Sequence, residues 1–554
     1  MKILLFIIIN SIFFSCSYQE NKQINLEIVK SKMRNASNYY SNGEYENAIQ
    51  ELNELIEKDE ILKEFKRERT NIFYDQACNY ALIGNKNSAL DCLEKAVQFG
   101  FANFRHIEKD NDLTIIRNDE QFINLVSKLK KEQNLWENKS LNTPYAVNIS
   151  NAEKIAGLSK LWSEIKYNFV NFDIINDINL DSLYMNFLPK VISTQSTIEY
   201  YWCLKEFCTH FKDGHTDVIF PKEIQNQIQG RIPIQSRLVE GKVIVTEVYD
   251  EELLNKGIAP GDEITHVNNF SAQKYADLFV RPYWTNNSTH SLDRTIFEYA
   301  FFRGPVGETI DITIKNQEEK SFTHNIIRQR WIYGRKWVPV NYRQLDNNIG
   351  YVSINSFGYD EVLTNFDSVF NYIEKNEALI IDLRDNGGGD GRIGWAILAH
   401  FTDKPFKIFK WKTRMYRPVW RAWGRKEEVY EEQPALEAAD KTTYYSKPVV
   451  LLTRPRTGSM AENFCMGFRI MNRGKIIGGP TAGSSGTPLV FSLPGGGSAK
   501  VVTTRGMYPD GEEFIGIGIK PDILVTPTID DFRTGYDRIL ETAIDNLNIE
   551  SELL

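Results

Sequence analysis

The 554-residue sequence predicts a multidomain α/β protein: an all-α N-terminal part, a β-rich insert and a C-terminal α/β core. Three observations predict it. Apolar residues recur at helical spacing from Leu26 to about Lys131. Period-two alternation takes over between about 225 and 330, as in G-E-T-I-D-I-T-I-K ending at Lys315. In the last third, short apolar runs alternate with helix-like stretches, the pattern of a largely buried sheet. With 42% apolar and 25% charged residues the chain is neither a disordered tail nor a small disulfide scaffold. Its 35 Gly and 19 Pro are too few for a collagen-like or low-complexity chain. The 73 acidic residues outnumber the 65 basic ones, for a net charge of −8, and no basic block occurs, which argues against nucleic acid as a partner.

The chain begins M-K-I-L-L-F-I-I-I-N-S-I-F-F-S-C, one basic residue followed by an apolar run. The run is too short for a bilayer span of ~20 residues, so residues 1–15 read as a signal peptide. A cysteine directly after the small Ser15 resembles a bacterial lipoprotein signal. The resemblance implies that Cys16 becomes a lipidated first residue, tethered in the cell envelope on the periplasmic or cell-surface face of the outer membrane. The other cysteines, Cys78, Cys92, Cys203, Cys208 and Cys465, show no C-x2-C spacing and fall among apolar residues, where a thiol behaves as a small hydrophobe. No metal and no cofactor is expected.

Within residues 16–131, Y-Y-S-N-G-E-Y-E-N-A-I-Q-E-L and Y-A-L-I-G-N-K-N-S-A-L-D-C-L read as two related helical hairpins. Their turn glycines, Gly43 and Gly84, are separated by one ~34-residue period plus an insertion. Each is followed by a small alanine, Ala48 or Ala89, that lets two helices approach closely. The segment is similar to a short tetratricopeptide array, which implies a surface for an adaptor protein or for the next domain. Residues 132–150 are polar and without a period, as expected of a linker.

Helical periodicity resumes over 151–224, and its second helix runs into Lys212-Asp213-Gly214-His215-Thr216. Glycine directly after a helix is a stop signal, so His215 is expected on a turn. Over 225–332 the strand K-V-I-V-T-E-V is followed by K-G-I-A-P-G-D-E-I-T-H-V-N-N-F. The G-I-A-P-G-D-E-I run resembles a PDZ domain, which implies a small sheet whose open edge takes up an extended, chain-terminal peptide.

Residues 333–554 hold the apolar runs 350–354, 378–383 and 449–453, and two of these end in unusual loops. After Leu383 comes R-D-N-G-G-G-D-G, whose glycines let N–H groups approach a ligand. The loop lacks the Lys-Ser/Thr of a phosphate-binding loop, and oxyanion stabilisation fits it better. After Thr453 comes R-P-R-T-G-S-M-A-E, with helical spacing beyond it, which puts Ser459 at a strand-to-helix turn. Free N–H groups at such a helix end favour a developing oxyanion. Ser459 with Glu462 also matches the S-x-x-E capping box, a purely structural alternative.

The order of these elements is more specific than any one of them. D-G-H-T, the PDZ-like insert, D-L-R-D-N-G-G-G, T-G-S-M-A-E, G-G-P-T-A-G-S-S-G-T and G-I-G-I-K-P-D-I together resemble the tail-specific, or C-terminal processing, serine protease family over roughly 152–545. That resemblance implies Ser459 as nucleophile and the N–H groups of Gly388 and Met460 as oxyanion donors. The Ser/Lys branch of the family places its lysine in G-E-P-T-x-G-K-G-T, whereas this chain has Gly483-Ser484-Ser485-Gly486, and Lys475 and Lys500 are out of register. His215 instead matches the base of the tricorn-like branch, and Glu513, with Glu512 next, is the expected orienting carboxylate. A serine needs such a base, and neutral imidazole suits the role near pH 7. The expectation is a lipid-anchored serine peptidase acting on protein or peptide. The alternatives are a non-catalytic peptide- or apolar-ligand-binding protein on the same fold, and a repeat/PDZ scaffold.

Overall fold

The computed structural model describes residues 28–552 apart from 59–61, 64, 138, 176–177, 331–337, 433, 435 and 438–443. Residues 1–15 and Cys16, expected to be a signal peptide and its lipidation site, lie outside the described residues. The chain divides between Asn138 and Lys139 into two units.

The first unit is helical: α1 (28–41), α2 (Tyr45–Ile56), α3 (Lys66–Leu82), α4 (Lys86–Gln98) and α5 (Glu120–Gln133). Gly43 and Gly84 sit in the two hairpin turns at φ 77° and 85°, a region glycine enters without steric cost. Ala48 on α2 and Ala89 on α4 are wholly buried, as close helix packing requires. Asn85 caps α4 by accepting the Ser88 N–H, and the helix then buries Leu90, Cys92, Leu93 and Ala96.

The second unit opens with α6 (Asn151–Asn168), α7 (Leu180–Ser193) and α8 (Thr197–Thr209), then strand β1 (Asp217–Ile219). Much of the expected linker is fixed to this unit and is not a free tether. Thr143 accepts the Gly495 N–H at 3.0 Å, and Thr197 Oγ1 donates to the Ala146 carbonyl at 2.6 Å. These backbone partners are far away in sequence, which is why composition alone reads as linker.

The insert is an antiparallel sheet in chain order: β2 (Ile234–Val239), β3 (Lys242–Val248), β4 (Glu263–Val267), β5 (Thr309–Lys315) and β6 (Ser321–Ile327). Helix α9 (Thr289–Arg294) lies between β4 and β5 and continues as a π-helical stretch to Ala300.

The core sheet contains β7 (Val340–Gln344), β8 (Ile349–Ile354), β9 (Ala378–Asp382), β12 (Val449–Thr453), β13 (Gly474–Gly478) and β17 (Ile523–Leu524), in that spatial order. Only β7 runs antiparallel. Its helices are α10 (Glu361–Ile373), α11 (Gly391–Leu398), α12 (Met460–Ile470) and α13 (Arg538–Glu552). All five residues of β9 and of β12 are buried, with Phe366, Phe464 and Phe468 in the core on one face and Ile539, Leu540 and Ala543 in that on the other. Covered faces explain the apolar runs. A hairpin of β10 (Lys410–Met415) and β11 (Glu428–Glu432) pairs with β16 (Thr504–Met507), and β1 pairs with β15 (Ser498–Val502), itself paired with β14 (Pro488–Ser492).

Candidate active site

Three neighbouring parallel strands decide where chemistry can occur. β9 ends before the Gly-rich loop, β12 before Ser459 and β13 before the loop carrying Ser484, so all three loops leave the same carboxyl edge of the sheet. His215 arrives from outside the sheet. The turn after α8 carries it, and the pairing of Asp217 with Lys500 in β1 and β15 fixes that turn over the same edge.

Ser459 has φ 55° and ψ −123°, a left-handed backbone unusual for a side chain with a Cβ. This differs from the extended backbone of an ordinary N-cap, and it turns the hydroxyl out over the helix end. Ser459 Oγ lies 3.3 Å from His215 Nε2, and His215 Nδ1 lies 3.0 Å from Ser484 Oγ. For Nε2 to accept the Ser459 proton, Nδ1 must carry the ring hydrogen and donate it to Ser484. Burial pushes the His215 pKa down to about 4, Asp213 opposes the shift and Lys500 adds to it. The imidazole is therefore neutral at pH 7, the state a general base needs.

The turn that presents His215 is held from several sides. Asp213 Oδ1 accepts the His215 N–H at 2.8 Å, and Lys500 Nζ donates to the Gly214 carbonyl at 3.1 Å. Lys500 thus acts on the base through charge and backbone.

Glu462 joins Ser459 to Ser484, the partner of His215. Its Oε2 accepts the Ser459 N–H at 3.1 Å and the Ser484 N–H at 2.9 Å, and its Oε1 accepts the Gly483 N–H and the Thr481 hydroxyl, each at 2.6 Å. The residue is wholly buried. Burial raises its pKa to about 7 against the pull of these four donors. The capping-box pairing of Ser459 with Glu462 is present in the Ser459 N–H bond, while the Ser459 hydroxyl faces His215.

Two expected roles require correction. Gly388 does lie against Ser459: a Cβ there would come 2.6 Å from Ser459 Cβ and 2.8 Å from the Met460 nitrogen. Its N–H, however, donates to Asn386 Oδ1 at 2.8 Å, an interaction fixed by the wholly buried Asn386 and unavailable from spacing alone. The Met460 N–H has no hydrogen-bond partner among the described residues and is free to face an oxyanion. Glu513 does not orient His215. Lys412 Nζ holds it at 2.6 Å and Arg505 at 3.2 Å, because the β10 and β16 strands bring two cations to it. Glu512 is exposed. The residue at Nδ1 is Ser484, which directly follows P-T-A-G where the Ser/Lys pattern has its lysine.

Residues 348–525 match the profile of peptidase family S41. The chain contains an S41 peptidase domain. Relatives include carboxyl-terminal-processing peptidase 2, chloroplastic, of Arabidopsis thaliana, 22% identical over 287 residues, 51% of this chain and 49% of that protein. The carboxy-terminal-processing protease of Bartonella bacilliformis is 24% identical over 242 residues, 42% of this chain and 51% of that protein. The chain thus spans about half the length of these two curated relatives. The carboxy-terminal processing protease CtpB of Bacillus subtilis is 19% identical over 390 residues, 68% of this chain and 69% of that one. Mature CPAF complexed with lactacystin is similar in fold, with a TM-score of 0.58 at 15% identity, covering 73% of this chain and 99% of that chain.

Proposed function

We propose that the protein is a serine-type peptidase, lipid-anchored at Cys16 outside the cytoplasm, that cleaves extended or C-terminal peptide segments. The observation that carries the catalytic part is the approach of Ser459 Oγ to the neutral His215 Nε2, with Nδ1 occupied by Ser484. In this reading the Ser459 proton passes to Nε2 as Oγ attacks the peptide carbonyl. The Met460 N–H receives the tetrahedral oxyanion, and Nε2–H protonates the leaving amine. Water then enters, gives a proton to the same nitrogen and hydrolyses the acyl-serine. Asp213 supplies the negative charge that favours the transient imidazolium, acting from two residues away in place of a carboxylate on the ring.

The PDZ-like insert would hold the substrate chain or its C-terminus, and the tetratricopeptide-like unit would dock an adaptor. Support for these parts is the sequence pattern together with an antiparallel sheet and paired helices in the expected places. The anchor rests on residues 1–16 of the sequence. Incubation of the full chain with unstructured polypeptides, read by mass spectrometry, tests the activity. Wild type should release new termini and Ser459→Ala should not; equal cleavage by both would remove Ser459 from the reaction. Binding of an apolar ligand without cleavage would favour the non-catalytic reading.

A further inference from the structure

One short stretch of the insert touches all three groups of catalytic loops. Asn287 Nδ2 donates to Asp213 Oδ2 at 2.7 Å, and Asn287 Oδ1 accepts the Gly214 N–H at 3.0 Å, so one amide spans the turn that presents His215. Ser288 Oγ donates to the Ala482 carbonyl at 2.7 Å and His290 Nε2 to the Thr481 carbonyl at 2.7 Å, on the loop that leads into Ser484. Further along the same helical stretch, Glu298 binds Arg454 through two bonds of 2.7 and 3.0 Å, and Arg454 also reaches Asp385 of the Gly-rich loop. Burial disfavours the Glu298 charge, yet Arg454 and Arg237 hold its carboxyl well below the usual range. The insert is thus charged and bonded into the site, where a passive neighbour would present apolar surface.

We infer that Asn287 of the insert is a positioning residue for the base: it sets the His215 turn through Asp213 and Gly214 and makes the catalytic geometry depend on the seating of the insert. The inference rests on the reading of Ser459 and His215 as the reacting pair. The chemistry of the contact demands an amide. Gly214 offers a donor and Asp213 an acceptor, and only a side chain with both complements them at this length. Alanine removes both bonds. Aspartate keeps the acceptor but sets a carboxylate against Asp213. The double variant Asp213→Asn/Asn287→Asp restores the pattern with the charge moved across the contact: the new amide at position 213 would donate to the new carboxylate at position 287 and still accept the His215 N–H. The remaining neighbour, Asn171, gives Nδ2 to Asp213 at 3.1 Å while its buried Oδ1 has no partner, so it can turn to accept from the new amide.

The test uses the full chain. A fluorophosphonate probe counts reactive Ser459, and kcat and KM on a cleaved peptide are expressed per labelled site. Asn287→Ala and Asn287→Asp should each lower kcat by at least about tenfold with KM within about threefold, since small misplacement of a base acts on the chemical step. The double variant should have a kcat at least about threefold above that of Asn287→Asp, as coupled partners do, and stay below wild type because the carboxylate now lies farther from the imidazole. Wild-type kcat in both single variants, a change in KM alone, or a double variant no better than Asn287→Asp would overturn the inference. If Asn287→Ala does not fold, the near-isosteric Asn287→Asp and the double variant decide alone. A wild type that neither labels nor cleaves defeats the serine peptidase reading itself, a different outcome from a labelled wild type with indifferent Asn287 variants.

Discussion

Glu462 and Glu513 are both near the carboxyl edge of the core sheet, and their surroundings could hardly differ more. Glu462 is wholly buried, receives four hydrogen bonds from uncharged donors, and links Ser459 to Ser484. Glu513 is partly exposed and paired with two cations, Lys412 and Arg505. A carboxylate neutralised by two cations has little charge to offer a distant imidazole, whereas one bonded to the backbone of two catalytic loops can fix their spacing. The difference teaches that the third position of this site is set by loop geometry and a hydroxyl, with its carboxylates acting at one remove: Glu462 beneath the loops and Asp213 behind the base.

The largest effect is expected from removing the proposed reacting pair. Ser459→Ala or His215→Ala should each reduce peptide cleavage by about 10⁴-fold or more, measured as kcat, with thermal unfolding little changed. Glu462→Gln comes next. An amide cannot accept from all four donors, so at least one buried N–H faces another N–H. Thermal and denaturant unfolding should report a loss of ~2–4 kcal/mol, and the folded fraction should also react slowly with the probe. Ser484→Ala removes the acceptor of the His215 Nδ1–H and should lower kcat by about 10–100-fold with KM little affected. Glu513→Gln is predicted to be nearly silent, within about threefold in kcat, its cost confined to the pairs with Lys412 and with the buried Arg505, which keeps its two bonds to Asp173. A Glu513 effect larger than that of Ser484 would reverse the assignment of the third member.

The pH profile tests the same contrast from the side of the base. His215 must be neutral to accept a proton, and burial holds its pKa at about 4. Loss of the base should therefore appear as pH falls through about 4, separate from any change near 7, where Glu462 titrates. An acid limb near 6.5 in the rate of probe labelling that persists in Glu462→Gln would place His215 in a solvated, unshifted environment.

Much of this arrangement is legible in the amino-acid sequence. The apolar runs of β9 and β12, each closed by one polar residue, Asp382 and Thr453, identify buried parallel strands, and the Gly-rich and T-G-S-M-A-E loops at their ends mark the candidate site because neighbouring parallel strands end together. His215 lies on a turn, as expected, but Gly214 is not what stops α8: the helix ends at Thr209 and the left-handed residue of the turn is Lys212, with φ 48°. Ser484 leaves one signal, a serine where the Ser/Lys pattern has lysine, but the meaning of that serine depends on where the imidazole ring lies. Glu462 is visible only as half of a capping box, since its other three donors arrive with the loop at 481–484. Asn287, Glu298 and the Lys412–Glu513 pair are not legible at all. Each joins segments remote in the chain, and no local period or turn rule records such contacts. The stretch from Lys410 to Arg425 reads equally well as a flap or as an insertion packed on the sheet; it forms part of the β10–β11 hairpin paired with β16.

The most direct measurement is active-site labelling of the intact chain with a fluorophosphonate, with the modified residue mapped by peptide mass spectrometry. One adduct per chain is expected on Ser459, absent from Ser459→Ala, and strongly slowed in His215→Ala. A folded wild type with no adduct, or an adduct on another serine, would contradict it.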